Sequence, residues 1–569
     1  LRRVIAPFSS LALVCALALA ASAQVNPPVT PPSGPVNPPG SVVTPAPPPV
    51  PTGATAPETT PTATPIETQP IPGQPTPVPT AEPTQPPILI EPPQIGVEPQ
   101  KRASARINSS LGTLTVTVAD PTVANAVVDQ PQRMLYVDGL KLGSTTVTVT
   151  DARGVSRTVP VLVAYAAGTV ADAAALRVTG NPASAAYLRG AAADAAARAA
   201  TMRPGAAIHV NADTIAVHGD LKLDNRTQFD VPVTIDGNGY FGVSGTTHVT
   251  VENVALPPIF PQRLLVSDYP ERLTADGVLF TAHIDTKAPQ RFLYYHFNPA
   301  TEPARRILLK AHNASNAPAT VQMIAGSAGP GTNEAEVGHL STKRFLVHEA
   351  RNEGTIVTVA PGATMNLVDD SLPPANVVSA ILQLRLVSGD PLDLTLVAQN
   401  ANAPLDQDVG TTQLLAGGAA HARGVYPVPT FYFERTYDVD GADLEIPIGQ
   451  LPLPNLREGE ALSGDYGVQQ SMNVVIVNQT RAARPIALYA NPRGGKATGT
   501  FLIDGTLVQA HGLAPFSKFK LWQETINPGT FRRIRIVTMP EGGSSYPLRL
   551  IFAPDDGSIP PFAPGSPIY

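Results

Sequence analysis

A chain of 569 residues exceeds what one hydrophobic core supports, since domains usually run about 100–200 residues, so several packed units are expected. The net charge of −6, with Lys and Arg scattered along the chain, gives no basic field and excludes nucleic acid and anionic membrane surfaces as expected partners. Hydrophobic residues at 43% fit a folded protein, and proline, at 63 residues, is the outlier.

At the N-terminus, Arg2 and Arg3 precede an apolar run from Leu11 to Ala20, followed by Ala21-Ser22-Ala23, whose small first and third residues suit a signal peptidase. Residues 1–23 therefore read as a signal peptide, with Gln24 as the mature start and the periplasm, cell surface or extracellular space as destination. The run falls short of the about 20 residues that span a bilayer, so the mature protein is expected to have no transmembrane segment. The single cysteine, Cys15, leaves with the leader, and no disulfide or cysteine metal site is expected. From residue 24 to 100 nearly every third residue is proline, and the only charges are Glu58, Glu67, Glu82, Glu91 and Glu98. Such a segment cannot bury enough apolar surface to offset its ordering entropy, and it is expected to be a disordered stalk. As polyproline II, at about 3.1 Å per residue, it would reach on the order of 200 Å.

Residues 101–166 change to period-two alternation: Leu114-Thr115-Val116-Thr117-Val118, Leu135-Tyr136-Val137, Thr145-Thr146-Val147-Thr148-Val149-Thr150 and Val159-Pro160-Val161-Leu162-Val163. Runs of β-branched residues separated by Asp-Pro, Asp-Gly and Gly turns predict an antiparallel sandwich or barrel. Asp120-Pro121, Asp138-Gly139, the Leu142-Gly143 turn into a Thr/Val strand, and Asp151-Ala152-Arg153-Gly154 carry a family resemblance. This stretch resembles the bacterial Ig-like (Big) family, and equally the pilus-formation N-terminal domain of secretin-type proteins. The first resemblance implies an Ig-like spacer, the second a part of a pilus or secretion machine.

Residues 167–256 predict a small α+β unit, with an alanine-rich helix from Ser184 to Met202 that starts after Asn181-Pro182 and stops at Pro204-Gly205. A hairpin of 206–210 and 214–218 around Asn211-Ala212-Asp213 is expected to follow. The rest of the chain reads as two β-sandwiches, 257–404 and 405–560, the second a degenerate repeat of the first, with 561–569 as a tail. The signal is an Asn-turn-Pro pattern at Asn313 and Asn478, also seen at Asn225. It is followed in the last two copies by a glycine-rich loop (326–331; 494–495), a Pro-Gly turn (Pro361-Gly362; Pro528-Gly529) and a closing strand from Pro391 or Pro547. The expectation is that Asn313 superposes on Asn478 and Pro361-Gly362 on Pro528-Gly529.

Motifs for catalysis are missing from the sequence, and no enzyme is expected. Ser544-Ser545 follows Glu541-Gly542-Gly543 without a Gly-x-Ser-x-Gly elbow, and Arg493-Gly494-Gly495-Lys496 has Ala490 where a phosphate-binding loop needs its first glycine. The ten histidines are dispersed, the nearer pairs being His339 with His348 and His209 with His218. Alternating carboxylates in Asp438-Val439-Asp440-Gly441-Ala442-Asp443-Leu444-Glu445 could offer hard oxygens to calcium, with Asp438, Asp440, Asp443 and Glu445 as ligands. An EF-hand places its glycine sixth and here Gly441 is fourth, so an Asp-Gly hairpin turn is the other account. Sugar rings pack on flat aromatic faces, which makes Tyr432, Tyr437 and Trp522 candidate polysaccharide contacts, with Tyr294 and Tyr295 behind them; core packing is the other account.

The sequence thus predicts a mainly β, multi-domain Ig-like/β-sandwich array with one small α+β unit behind a disordered proline-rich segment. Its expected role is structural, spacer or adhesive work in the cell envelope, without a cofactor unless calcium. The alternatives are a polysaccharide-binding protein and a periplasmic component of a pilus or secretion apparatus. Its expected partners are an envelope protein or a polysaccharide.

Overall fold

The computed structural model describes residues 86–285, 289–407 and 413–560, and the backbone at 566–567. The expected leader, the proline-rich stretch up to residue 85 and most of the tail lie outside the described residues. What is described is mainly β-strand with two α-helices. No helix among the described residues is long and apolar enough to cross a membrane.

The first unit is a sandwich of two four-stranded sheets. One holds Leu89–Glu91, Arg102–Asn108, Met134–Gly139 and Ala124–Asp129; the other holds Ile95–Val97, Ser156–Val163, Gly143–Thr150 and Thr115–Val118. Alternation turns Leu135, Val137, Val147, Val149, Val159 and Val161 inward, where all are buried. The unit begins earlier than residue 101, because Ile88, Ile90, Ile95 and Val97 belong to the same core. The stalk reading up to residue 100 is corrected accordingly: four apolar residues at alternating positions bury enough surface to pair these strands despite the flanking prolines.

In the α+β unit, helix α1 spans Ala185–Ala199, and Ser184 caps it by accepting the Tyr187 N–H at 3.3 Å. Ala192, Ala195 and Ala196 are small enough to let the helix lie on Val231, Val233, Val249 and Val251. The expected hairpin does not form. Ala207–His209 pairs with Arg226–Asp236, and residues 212–214 are a 3-10 turn because Asn211 Oδ1 accepts the Asp213 N–H at 3.0 Å.

Strand Ala173–Thr179 of this unit pairs with Gly354–Val359, which joins the unit to the next sandwich in one ten-stranded sheet. Its far edge is Arg263–Ser267 paired with Arg423–Tyr426, a strand from beyond residue 405.

Two further sandwiches share one order of nine strands. The first strand (Arg263–Ser267; Thr430–Asp438) pairs parallel with the third (Gln290–Asn298; Gln469–Asn478). The third pairs with the eighth (Asn376–Ser388; Thr530–Thr538), the eighth with the fifth (Ala319–Gly331; Ala497–Ile503), and the fifth with the sixth (Gly354–Val359; Thr506–Leu513). In the facing sheet the second (Gly277–Ile284; Leu444–Ile448) pairs with the ninth (Leu392–Asn400; Leu548–Pro554). The ninth pairs with the fourth (Arg305–His312; Arg484–Pro492), and the fourth with the seventh (Thr364–Leu372; Phe519–Ile526).

The expected superposition of Asn313 on Asn478 is overturned. Asn478 ends a third strand, whereas Asn313 follows a fourth. The equivalent of Asn478 is Asn298: Asn478 Nδ2 donates to the carbonyls of Ala482 (2.9 Å) and Ile526 (2.8 Å), and Asn298 Nδ2 to those of Pro303 (2.9 Å) and Leu372 (3.0 Å), with Ile526 and Leu372 both ending seventh strands. Asn313 makes the same clamp one strand later, onto Ala317 and Val359 (2.8 and 3.0 Å). The Pro-Gly turns are offset by one strand as well, Pro361-Gly362 joining sixth to seventh and Pro528-Gly529 seventh to eighth. Residues 326–331, expected as a loop, extend the fifth strand. A buried asparagine that bridges two strand ends is a local solution that recurs wherever a sandwich edge needs it, so the pattern marks the device and not the register. Asn478→Ala leaves the Ala482 and Ile526 carbonyls without this partner and is expected to cost about 1–3 kcal/mol, read as a lower urea midpoint at unchanged slope.

Candidate functional site

The sequence-predicted residues separate onto different surfaces. In Thr430–Asp438 the Tyr437 side chain points inward, 1% exposed, against Phe552 at 6.1 Å, while Tyr432 points outward and is 65% exposed. Trp522 is half-buried against the core of the same sandwich, and Tyr294 and Tyr295 are buried in Gln290–Asn298. Tyr294 Oη donates to Asp370 at 2.5 Å, and burial first, then the Asp370 charge, push its pKa well above the usual phenol range. Tyr432 alone of the five keeps an open ring.

Residues 438–445 form a turn that carries the chain from one sheet to the other, so the hairpin account is corrected along with the geometry. Asp438 Oδ1 accepts the Asp440 N–H at 3.2 Å. The other three carboxylates each face a separate cation: Asp440 with Arg484 at 3.1 Å, Asp443 with Lys518 at 4.0 Å, and Glu445 with Arg549 at 2.6 Å. Among the described residues no group of three or more His, Cys, Asp or Glu side chains is placed to hold a metal ion. Ser544 Oγ accepts the Thr498 N–H at 2.8 Å within a buried turn. A Ser267–His296 pair (Oγ to Nε2, 3.2 Å) exists, yet both residues are fully buried, with His296 Nδ1 on the Pro270 carbonyl at 3.0 Å.

A second site, with no precedent in the sequence motifs, lies where the two similar sandwiches meet. Helix α2, Glu334–Ala350, is inserted between the fifth and sixth strands of the first sandwich, where the second sandwich has only the Asp504-Gly505 turn. Asn333 caps it by accepting the Glu336 N–H at 3.3 Å. From its first turns His339 reaches Glu541 of the second sandwich, Nδ1 lying 3.0–3.1 Å from both carboxylate oxygens. Thr500 donates to the same carboxylate at 2.7 Å and Thr498 makes a shorter bond, while His339 Nε2 lies 3.3 Å from Gln509 Oε1. His339 and Glu541 are both 0% exposed. Burial pulls the His339 pKa down, but the hydrogen bond and charge of Glu541 outweigh it and hold the value above the ordinary imidazole range.

Arg291 adds a second buried link. Its guanidinium donates to the Gln469 side chain at 2.9 Å and to the Pro429 and Gly467 carbonyls, and stacks 5.2 Å over the Phe345 ring of α2. The C-terminal end of α2 holds the α+β unit: Tyr187 of α1 meets His348 edge to face at 5.1 Å, and Glu353 accepts the Ser184 N–H at 2.7 Å. One helix thus contacts three units. No single-residue pattern announced it, although Asn333 with Glu334 and Glu336 is a readable N-terminus.

Comparison with curated proteins finds no match. Solved structures that resemble the chain include domains 5–6 of the S-layer protein SbsC, at 16% identity over 30% of this chain and 97% of that one, with a TM-score of 0.14. Others are fibronectin(III)-like modules of Clostridium thermocellum CbhA (11%, 30% and 98%, 0.15) and Bacteroides ovatus SGBP-B, solved with a mixed-linkage heptasaccharide (10%, 53% and 71%, 0.12). Likenesses this low carry no argument about this chain. The sequence itself is more informative: residues 97–164, almost the whole of the first sandwich, match the family described as the pilus formation protein N terminal region, and of the two resemblances that stretch shows, this is the one with a matching family.

Proposed function

We propose that this is a non-catalytic structural protein of the bacterial envelope, exported and acting as a spacer that holds its pilus-type N-terminal module at a fixed place. The observation that supports this reading most is the way the units are joined. A ten-stranded sheet runs from the α+β unit into the first similar sandwich, and that sandwich is fastened to the second by His339 of α2 on Glu541 and by the buried Arg291 of its third strand on Gln469. Enzymes that work by domain closure need a joint that opens, and these joints are made of sheet ladder, the desolvated His339–Glu541 pair and the buried hydrogen bonds of Arg291. Small-angle scattering of the protein from Gln24 onward is expected to fit one conformation for residues 86–560, with retention by envelope fractions and no turnover in hydrolase assays. Independent motion of the two sandwiches, or turnover, would overturn the spacer reading.

A second, more specific reading is supported by the family match at residues 97–164: a periplasmic component of a pilus or secretion apparatus. It predicts co-purification with a secretin-like ring that is lost when residues 86–164 are deleted. Retention of the deleted protein on the ring would remove the support the module gives.

A further inference from the structure

The outer face of the second similar sandwich carries exposed arginines along an open groove. Along Thr530–Thr538, Ile534 and Ile536 are buried in the core, so alternation turns Phe531, Arg533 and Arg535 to the outside. On the central strand Asn473 and Val475 share that face, Asn473 standing opposite Arg535 and Val475 opposite Arg533. Asn473, Val475, Arg533 and Arg535 line an open groove of about 640 Å³, with Glu434 and Thr436 of the edge strand beside them.

Its charge does not cancel. Arg533 and Arg535 form no ion pair among the described residues, Arg535 acting only at longer range on the buried Glu349 of α2, while Arg435 has the opposite parity and lies 5.7 Å over the Phe433 ring. Two carboxylates reach the groove. Asp504 is already taken by Arg532 at 2.6 Å and by the Arg535 N–H at 2.8 Å, which leaves Glu434 against Arg533 and Arg535. In a chain of net charge −6 this local excess of positive charge is a departure from the whole.

Two exposed rings flank it. Tyr432 stands beside Ser471 and Phe531 beside Val477, 65% and 63% exposed. Six residues of strand separate those two positions, about 20 Å at roughly 3.4 Å per residue. Rings at both ends with guanidinium groups and an amide between them suit a chain of sugar rings bearing carboxylates: stacking on the aromatic faces, charge-assisted hydrogen bonds to the arginines, hydroxyl contacts to Asn473. We infer that this face binds an acidic polysaccharide, a polymer of uronic-acid type, across Arg533 and Arg535. Single-stranded nucleic acid uses rings and arginines too, but it needs a basic field along its backbone, and this chain has none beyond the groove.

The inference rests on Tyr432 as a sugar platform and adds the chemical class of the sugar, and the test separates the two. Affinity electrophoresis of the protein from Gln24 onward through gels containing polygalacturonate, neutral dextran or a single-stranded oligonucleotide, with anionic vesicle flotation alongside, provides the arms. Polygalacturonate is expected to retard the protein and the other three to leave it free. Arg533→Glu with Arg535→Glu is expected to weaken retardation at least about tenfold, and Arg533→Gln with Arg535→Gln less, at an unchanged melting temperature, since both arginines are exposed. Tyr432→Ala is expected to weaken it about tenfold with the salt dependence intact. Absence of retardation, retardation that survives charge reversal, or equal binding of oligonucleotide or vesicles overturns the inference. Dextran binding that depends on Tyr432 but not on the arginines overturns the acidic ligand alone and leaves the sugar platform standing.

Discussion

Replacing Glu541 by alanine is expected to lower stability by about 3–5 kcal/mol, because it strands donors that have nowhere else to go. The carboxylate accepts from His339, Thr498 and Thr500, and none of the three can turn to solvent where His339 and Glu541 are both fully buried. In a unit of this size that loss corresponds to a fall of roughly 6–20 °C in the first thermal transition. The pH dependence carries a sign. His339 sits above its ordinary value of 6.5 in the folded protein, so its pairing contributes in full below that value and is lost as pH rises through the folded value. The advantage of the native protein over Glu541→Ala is therefore expected to be full below pH 6.5 and to shrink as pH rises from there through the raised folded value. Glu336 and His511, which face His339 from α2 and from Thr506–Leu513, share the same pocket of charge, with the two imidazole rings 4.2 Å apart. An advantage that stays constant or grows toward high pH would show that the pair is held as a neutral hydrogen bond.

How far the sequence could be read follows from where each element is buried. The strands of the first sandwich are half-buried, so alternation exposes them at once; its first two were hidden because the proline content of residues 24–100 was averaged over a stretch whose last part alternates at Ile88, Ile90, Ile95 and Val97. Helix α1 has one face on a sheet and an alanine composition that nothing else explains. Helix α2 is covered from two sides, and its buried positions include Gly338, His339, Ser341 and Thr342 beside Val337, Phe345 and Leu346. A helix that packs small and polar residues into two interfaces has no apolar stripe to detect. At the candidate sugar face, parity was available: Tyr432 and Tyr437 are five apart on one strand, so they cannot share a face, and the hydrophobic residues alternating with Tyr432 put it outside.

The same geometry explains the division of labour between the repeated and unrepeated parts. The nine strands shared by the two sandwiches build two cores, and a further cluster at the joint sets Leu264, Val266 and Leu293 of the first sandwich and Leu502, Leu507 and Val537 of the second against Phe345 and Leu346 of α2. The element present in only one of them, α2, supplies Phe345 to Arg291, His339 to Glu541 and the seat for α1. The Asn clamps are equivalent between the copies at Asn298 and Asn478 because they serve each sandwich separately. The joint is shared by the insertion and the strands beside it, from which Arg291 reaches Gln469, Pro429 and Gly467.

That makes Gly338 the position at which the joint is most easily tested. A Cβ placed there would lie 1.8 Å from the Gly542 carbonyl oxygen and 2.5 Å from its carbon, both backbone atoms of the second sandwich. On the neighbouring side Gly326 admits the helix backbone, where a Cβ would lie 2.2 Å from the Phe345 nitrogen. The helix is thus held between two backbones, and a side chain at Gly338 has to push one of them away. Helix propensity alone argues the opposite, since alanine in a helix interior is favoured over glycine by about 0.8–1.0 kcal/mol. The two effects differ in sign, and the overlap is the larger: Gly338→Ala is expected to destabilise by about 2 kcal/mol net, and Gly338→Val by about 3 kcal/mol or more. Amide exchange should locate the damage, with protection lost at residues 541–543 and in the first turns of α2, and kept around Phe345 and in the core strands of both sandwiches. A stabilised Gly338→Ala, or exchange that is unchanged at 541–543, would mean that α2 does not bear on the second sandwich at this glycine, and the spacer reading would lose the joint on which it rests.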